Sequence, residues 1–281
     1  MRVHVIGVVV LGALAARGAA RTPATKPAPS VTTAPAAKVD PGAKKILDGM
    51  ETAGARYAAV RAEVVYKVIN TTLGDSEQRT GWVCYQKAKT VTDPKTGKKK
   101  TTPAKFRIHF ATLQQGEGPV GKNEVDYAFD GRWLTVAKAA IKTVTRYQVT
   151  PKGREPKSLK IGQGPFPLPF GQRTADMVRY FECTTREARK YDPKGTAYLK
   201  LVPRTEHRKQ FNFDRLQMWV DTKTHLPVKI VSRDKSQNLT TVTFAKVDTG
   251  VKPDAKIFRI PKPFGWKLVI KPLRQGDNLR P

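Results

Sequence analysis

A chain of 281 residues with 39% hydrophobic content can bury a substantial core as one large β-rich domain or two smaller ones. Its formal net charge of +29 attracts polyanions: nucleic acid, anionic lipid headgroups or acidic envelope polymers. Two cysteines and four scattered histidines, with no HExxH or CxxC spacing, give a metal site little support.

At the N-terminus, Met1-Arg2 precedes the apolar run VIGVVVLGALAA, which has the length of a signal-peptide core. Gly18, Ala19 and Ala20 suit signal peptidase, so cleavage after Ala20 and export to the periplasm or cell envelope are expected. A membrane anchor would need about 20 apolar residues. No cysteine follows the run, which excludes lipobox acylation. Export argues against nucleic acid as partner, and the sequence has neither zinc-finger spacing nor an aromatic RNA-binding pattern.

Residues 21–39 are rich in Pro, Ala, Thr and Lys and read as a disordered linker. Asp40-Pro41 then supplies an N-cap and a first-turn proline, and Ile46, Leu47, Met50, Ala53 and Tyr57 recur at helical spacing. After this helix the period becomes two. Val60, Ala62, Val64, Tyr66 and Val68 alternate in AVRAEVVYKVIN, and Thr80, Trp82 and Cys84 share a face in QRTGWVCYQK. KFRIHFATL places Phe106, Ile108 and Phe110 together, EVDYAFDG does the same for Val125, Tyr127 and Phe129, and RWLTVAK and KTVTRYQVT continue the series.

An insert at about 157–190 interrupts the strands. It opens with GPFPLPFG (164–171), whose prolines exclude a helix interior or a central strand. RTADMVRYFECTTREARKY follows with helical spacing, Thr174 as N-cap and Met177, Val178 and Phe181 as an apolar stripe. Strands resume in TAYLKLVPR, FNFDRLQMWVD, PVKIVSRD, LTTVTFAKVD and KIFRI. The expected fold is mainly β with α (α+β): a single curved antiparallel sheet of about ten strands that curls into an incomplete β-barrel. Its cover is the N-terminal helix and the insert. The folded domain is expected over 40–273, with a tail at 274–281.

Catalytic chemistry needs convergent polar groups, and no nucleophile elbow or phosphate-binding loop occurs. Glu206-His207 and Asp221 read as exposed strand-end residues rather than an acid-base pair. The sequence thus points to binding, with no catalytic residue, no metal and no cofactor expected. An oxidising compartment permits a disulfide between Cys84 and Cys183. Free thiols are the alternative, since Cys84 sits in a strand pattern and Cys183 in a helical one.

The segment VKPDAKIFRIPKPFG resembles the last strands of the LolA-like periplasmic lipoprotein carriers, with Phe258 central and Pro261, Pro263 and Gly265 closing it. YAFDGRWLTVAKAAIKTVTRYQV is similar to that family's Asp-Gly-x-x-Leu hairpin, and the order of elements matches over residues 40–273. The resemblance implies a hydrophobic face under a helical lid, with acyl chains of a lipoprotein or lipid bound between them. Trp82, Phe106, Ile108, Phe110, Tyr127, Phe129, Phe211, Phe213 and Met218 are then cavity candidates, and Phe166, Leu168, Phe170, Met177 and Phe181 lid candidates. Each taken singly also suits ordinary core packing. The family's Lys-Arg-Pro after the second strand's Trp-Val is replaced here by CYQKAKTVTDPKTGKKK, so no latch arginine is assigned. Anionic membrane surfaces and a membrane-protein donor or acceptor are the partners implied; an envelope sensor or scaffold that binds a partner protein is the alternative.

Overall fold

The computed structural model describes residues 39–94, 96–97, 99–151 and 171–273. The expected signal peptide, most of the linker, the tail and lid candidates Phe166, Leu168 and Phe170 lie outside them.

Helix α1 spans Pro41–Arg56. It starts where local chemistry dictates: the Asp40 carboxylate accepts from the backbone N–H of Gly42 and Ala43, and Pro41 needs no donor. The other Asp40 oxygen accepts from Thr185 N, 3.0 Å away on a distant strand. The Thr185 bond, then the cap bonds, hold the Asp40 carboxyl below its ordinary pKa. One residue thus caps the helix and docks it.

Among the described residues fourteen strands follow: β1 Ala59–Ile69, β2 Ser76–Gln86, β3 Lys89–Thr92, β4 Lys99–Thr102, β5 Lys105–Gln115, β6 Gly121–Phe129, β7 Trp133–Lys138, β8 Thr143–Gln148, then β9 Phe181–Arg186, β10 Thr196–Pro203, β11 Phe213–Asp221, β12 Pro227–Asp234, β13 Leu239–Asp248 and β14 Lys267–Lys271. Helix α2, Thr174–Tyr180, precedes β9. Twelve strands form one sheet in the order β14-β8-β7-β6-β5-β2-β1-β13-β12-β11-β10-β9, and β3 and β4 pair as a separate hairpin. The sheet is open, with β14 and β9 as its edges. It is also mixed rather than purely antiparallel, because β14 runs parallel to β8.

Cross-strand register assigns the faces. The inner face carries Val60, Ala62 and Val64 of β1 opposite Tyr85, Val83 and Gly81 of β2. It continues through Phe106, Ile108 and Phe110 of β5 to Phe129, Tyr127 and Val125 of β6. In the other direction it runs through Phe244, Val242, Ile230, Met218 and Leu199. Leu47, Met50, Met177 and Phe181 join these residues in one core cluster, so α1 and α2 cover this face. A Cβ at Gly81 would run into the carbonyl of His109, at the point where the β2–β5 register shifts. Only glycine permits that close approach.

The outer face of the first block is covered too. From β13 the chain crosses to β14, and Ile257 in the 3-10 turn Ala255–Phe258 accepts a hydrogen bond from Arg107 of β5. The outer-facing side chains beneath are small: Cys84, Ala128, Thr135, Ala137 and Val144 are all buried. Phe258 is buried in the crossing segment.

Three expectations are corrected. KIFRI is not the last strand: Asp254 accepts from Lys256 N and turns that segment into a 3-10 turn, and KLVIK (267–271) pairs instead. The insert's helix ends at Tyr180, and Phe181–Arg186 forms edge strand β9, so Phe181 and Cys183 are inward strand residues. Thr174 is the first helical residue rather than the cap; its N–H is taken up by the Glu51 carboxylate of α1.

Candidate functional site

The two ends of the inner face differ. At the end holding Val60, Tyr85 and Leu226, α1 fills the space, leaving only about 10 Å³ among Met50, Ala53, Tyr57 and their neighbours. Gly171, which closes GPFPLPFG, sits here with φ +71°, its α-carbon facing the Tyr85 hydroxyl and its backbone beside Gly54 of α1. The far end of that segment therefore reaches the inner face.

At the opposite strand ends lies an open cleft of about 980 Å³. Its floor is Val68, Phe110, Val125, Tyr66 and Tyr127. The Tyr66 and Phe110 rings lie 5.7 Å apart, and Tyr127 meets Phe110 edge-on at 6.5 Å. Burial pushes both tyrosine hydroxyls above their ordinary pKa, so they stay neutral. The rim is polar: Asp75, Glu77, Arg79, Asn123 and Lys138. Arg79 donates to Glu77 at 2.6 Å and to the Asn123 side-chain oxygen at 3.2 Å. An apolar floor under a few fixed polar groups is the usual composition of a small-ligand site, and the volume is at the top of the usual range of about 300–1,000 Å³.

The register brings Phe106, Ile108, Phe110, Tyr127 and Phe129 onto one face, with Phe110 and Tyr127 in the cleft itself. Phe211, Phe213 and Met218 join the same core at the α2 end, where Phe181 packs on Phe211 and Phe213 at ring distances of 4.7 and 6.0 Å. Trp82 is not on this face. It pairs with Glu63 and His109, and its ring lies under the Arg61 and Arg107 guanidiniums at 4.8 and 5.6 Å. Strand parity explains it: the inner positions of β2 are Glu77, Arg79, Gly81, Val83 and Tyr85. The cleft's charged rim escaped the sequence reading for the same reason, although the change from polar to apolar along those five positions was visible.

Cys84 and Cys183 are both free and buried. Cys84 faces outward on β2 and Cys183 inward on β9, so no pairing is geometrically open to them. Burial pushes the Cys183 thiol up to about 12 and raises Cys84 as well, which makes both poor nucleophiles. The Asp221 carboxylate is engaged by the N–H groups of Lys223 and Thr224 and the Thr224 hydroxyl. Glu206 and His207 lie on a separate 3-10 turn, where His207 contacts Gln210. On the outer face, Asp126 contacts both Arg107 at 2.8 Å and His109 at 3.1 Å. Among the described residues no group of three or more His, Cys, Asp or Glu side chains is placed to hold a metal. None of their helices is long and apolar enough to cross a membrane.

No family model matches this chain, and no curated protein is similar to it at a significant level. Solved structures similar to it include an uncharacterized conserved protein from Thermus thermophilus, at 12% identity over 82% of this chain and 99% of that chain, with a TM-score of 0.45. A putative outer membrane lipoprotein-sorting protein domain from Vibrio parahaemolyticus is similar at 12% identity over 77% and 97%, with a TM-score of 0.36. A LolA superfamily protein from Nitrosomonas europaea is similar at 12% identity over 78% and 97%, with a TM-score of 0.33. These are loose overlaps of strand layout, from which no activity follows.

Proposed function

We propose that this protein is an exported, non-enzymatic carrier that holds acyl chains of a lipid or lipoprotein against the inner face of its sheet. The observation that carries the reading is the open cleft of about 980 Å³, whose floor of Phe110, Val125 and Val68 continues into the apolar core. An acyl chain has nothing to hydrogen-bond, so its binding must come from apolar area. Each buried methylene contributes about 0.8 kcal/mol, and roughly ten would contribute about 8 kcal/mol before ordering costs. Glu77, Arg79 and Lys138 at the rim suit a polar end that stays near water. In this reading Phe166, Leu168 and Phe170 belong to a cover over the inner face, together with Met177, and the resemblance of residues 251–265 to the LolA-like carriers supports the cargo class.

The test is native mass spectrometry of protein purified from its own envelope, paired with a fluorescent fatty-acid titration. A co-purifying lipid or acylated peptide supports the carrier. Val68→Asp, at a half-buried floor position, is expected to weaken fatty-acid binding at least tenfold with an unchanged circular-dichroism spectrum. A protein that stays empty and binds no fatty acid, yet captures a partner protein, would instead be a sensor or scaffold.

A further inference from the structure

The outer face of the second block carries a pair of arginines that the fold leaves unbalanced. Arg215 of β11 and Arg233 of β12 are directly opposite each other, beside the register shift at Phe213–Arg215. Like charges facing each other across an antiparallel pair destabilise it. Each guanidinium also has a buried Nε with no hydrogen-bond partner. A buried donor left unmatched costs its full desolvation.

The neighbouring charges do not compensate. Arg186 is paired with Asp192, and Lys229 lies over the Trp219 ring at 4.9 Å. Asp214, next to Arg215 on the bulge, is exposed and forms no ion pair among the described residues; the same holds for Glu182 on β9. Asp234 is engaged with the backbone and side-chain amides of Asn238. Lys200, opposite Gln217 and hence diagonal to Arg215, adds a third cation. Two planar guanidinium forks and one ammonium, with no acid among them, match the charge and acceptor pattern of a phosphate group.

We propose that Arg215 and Arg233, assisted by Lys200, form an oxyanion site for a phosphate group, either free or as a lipid headgroup. The site is on the face opposite the cleft, so it stands or falls independently of the carrier reading. Bound phosphate would accept from the solvent-facing parts of both guanidinium groups and offset the cross-strand repulsion.

Thermal unfolding in about 50 mM sodium phosphate, against sodium chloride at matched ionic strength, tests it. With a dissociation constant of about 10 mM, the wild-type Tm should be about 2–4 °C higher in phosphate. Arg215→Gln and Arg233→Gln should each lose that rise, while being at least as stable as wild type in chloride. Lys67→Gln, which removes an outer-face charge on β1, should keep it. Flotation with phosphatidylglycerol and phosphatidylcholine vesicles separates the two sources. Binding to the anionic vesicles that falls in Arg215→Gln assigns a headgroup; binding unaffected by the substitution, with the Tm rise still lost, assigns free phosphate. An equal Tm in both salts, a rise retained in both glutamine variants, or a rise lost in Lys67→Gln overturns the proposal.

Discussion

Asp192→Ala is expected to cost about 3 kcal/mol, at the low end of the roughly 3–5 kcal/mol typical when one member of a buried ion pair is removed. The Asp192 side chain is 8% exposed and accepts four hydrogen bonds: Arg186 Nη1 at 2.6 Å and Nη2 at 3.0 Å, Arg189 N at 2.8 Å, and Trp219 Nε1 at 2.7 Å. Alanine leaves the Trp219 N–H and the Arg186 guanidinium without that acceptor. Arg186 is 23% exposed and regains some water, hence the low figure. Urea unfolding should show a midpoint lower by about 1–1.5 M for an m-value of 2–3 kcal/mol/M. The pH dependence has a fixed sign. Arg186 above all holds the Asp192 carboxyl well below the usual carboxylate range, so the folded pKa is below the unfolded value of about 3.9. The stabilisation is then complete above the unfolded pKa and is lost as pH falls through the folded one. The gap between wild type and variant should therefore be constant from pH 7 to 5 and narrow below about pH 4. A gap under about 0.5 kcal/mol at pH 7, or one that already narrows between pH 7 and 5, would refute the reasoning.

Other outcomes follow from the face assignments. Phe110→Ala, at a side chain 1% exposed, should cost about 3–5 kcal/mol in urea unfolding and weaken fatty-acid binding. Trp82→Ala should leave fatty-acid affinity unchanged, because that ring is on the other face; a comparable loss in both variants would show the assignment to be wrong. Gly81→Ala should destabilise by about 1–3 kcal/mol or more, since the β5 backbone occupies the space of the new methyl group. Iodoacetamide without reductant should label neither cysteine quickly in native protein and both after unfolding; an unfolded protein that takes no label would contradict two free thiols.

Helix α1 was legible because its signals are local: Asp40-Pro41 and the spacing of Leu47, Met50 and Ala53 act within one segment. The strands were legible for a similar reason, as period-two alternation is a property of each strand alone. Face assignment is not local. Trp82 and Tyr85 have opposite parity on β2, and only pairing with Val60 and Ile108 decides which points to the core. Phe181 fitted both a helical stripe with Met177 and a two-residue alternation with Cys183, and contact with β10 settled it. KLVIK was passed over because it is short and mostly exposed, and its partner β8 is more than a hundred residues earlier. The cleft's rim escaped for the same non-local reason: Glu77 and Arg79 of β2 and Lys138 of β7 are ordinary strand-end charges until pairing through β5 and β6 sets the two strands around one cleft.

The crossing from β13 to β14 has a consequence for biogenesis. Those two strands are seven positions apart in the sheet, about 34 Å at 4.8 Å per strand, and residues 249–266 bridge the gap over the buried small side chains of the first block. That block cannot complete its outer layer, or gain its β14 edge, until the chain as far as Lys271 is available. A polypeptide still emerging from the ribosome therefore lacks one layer of its own core, and that layer closes only once the chain through Lys271 is free to fold.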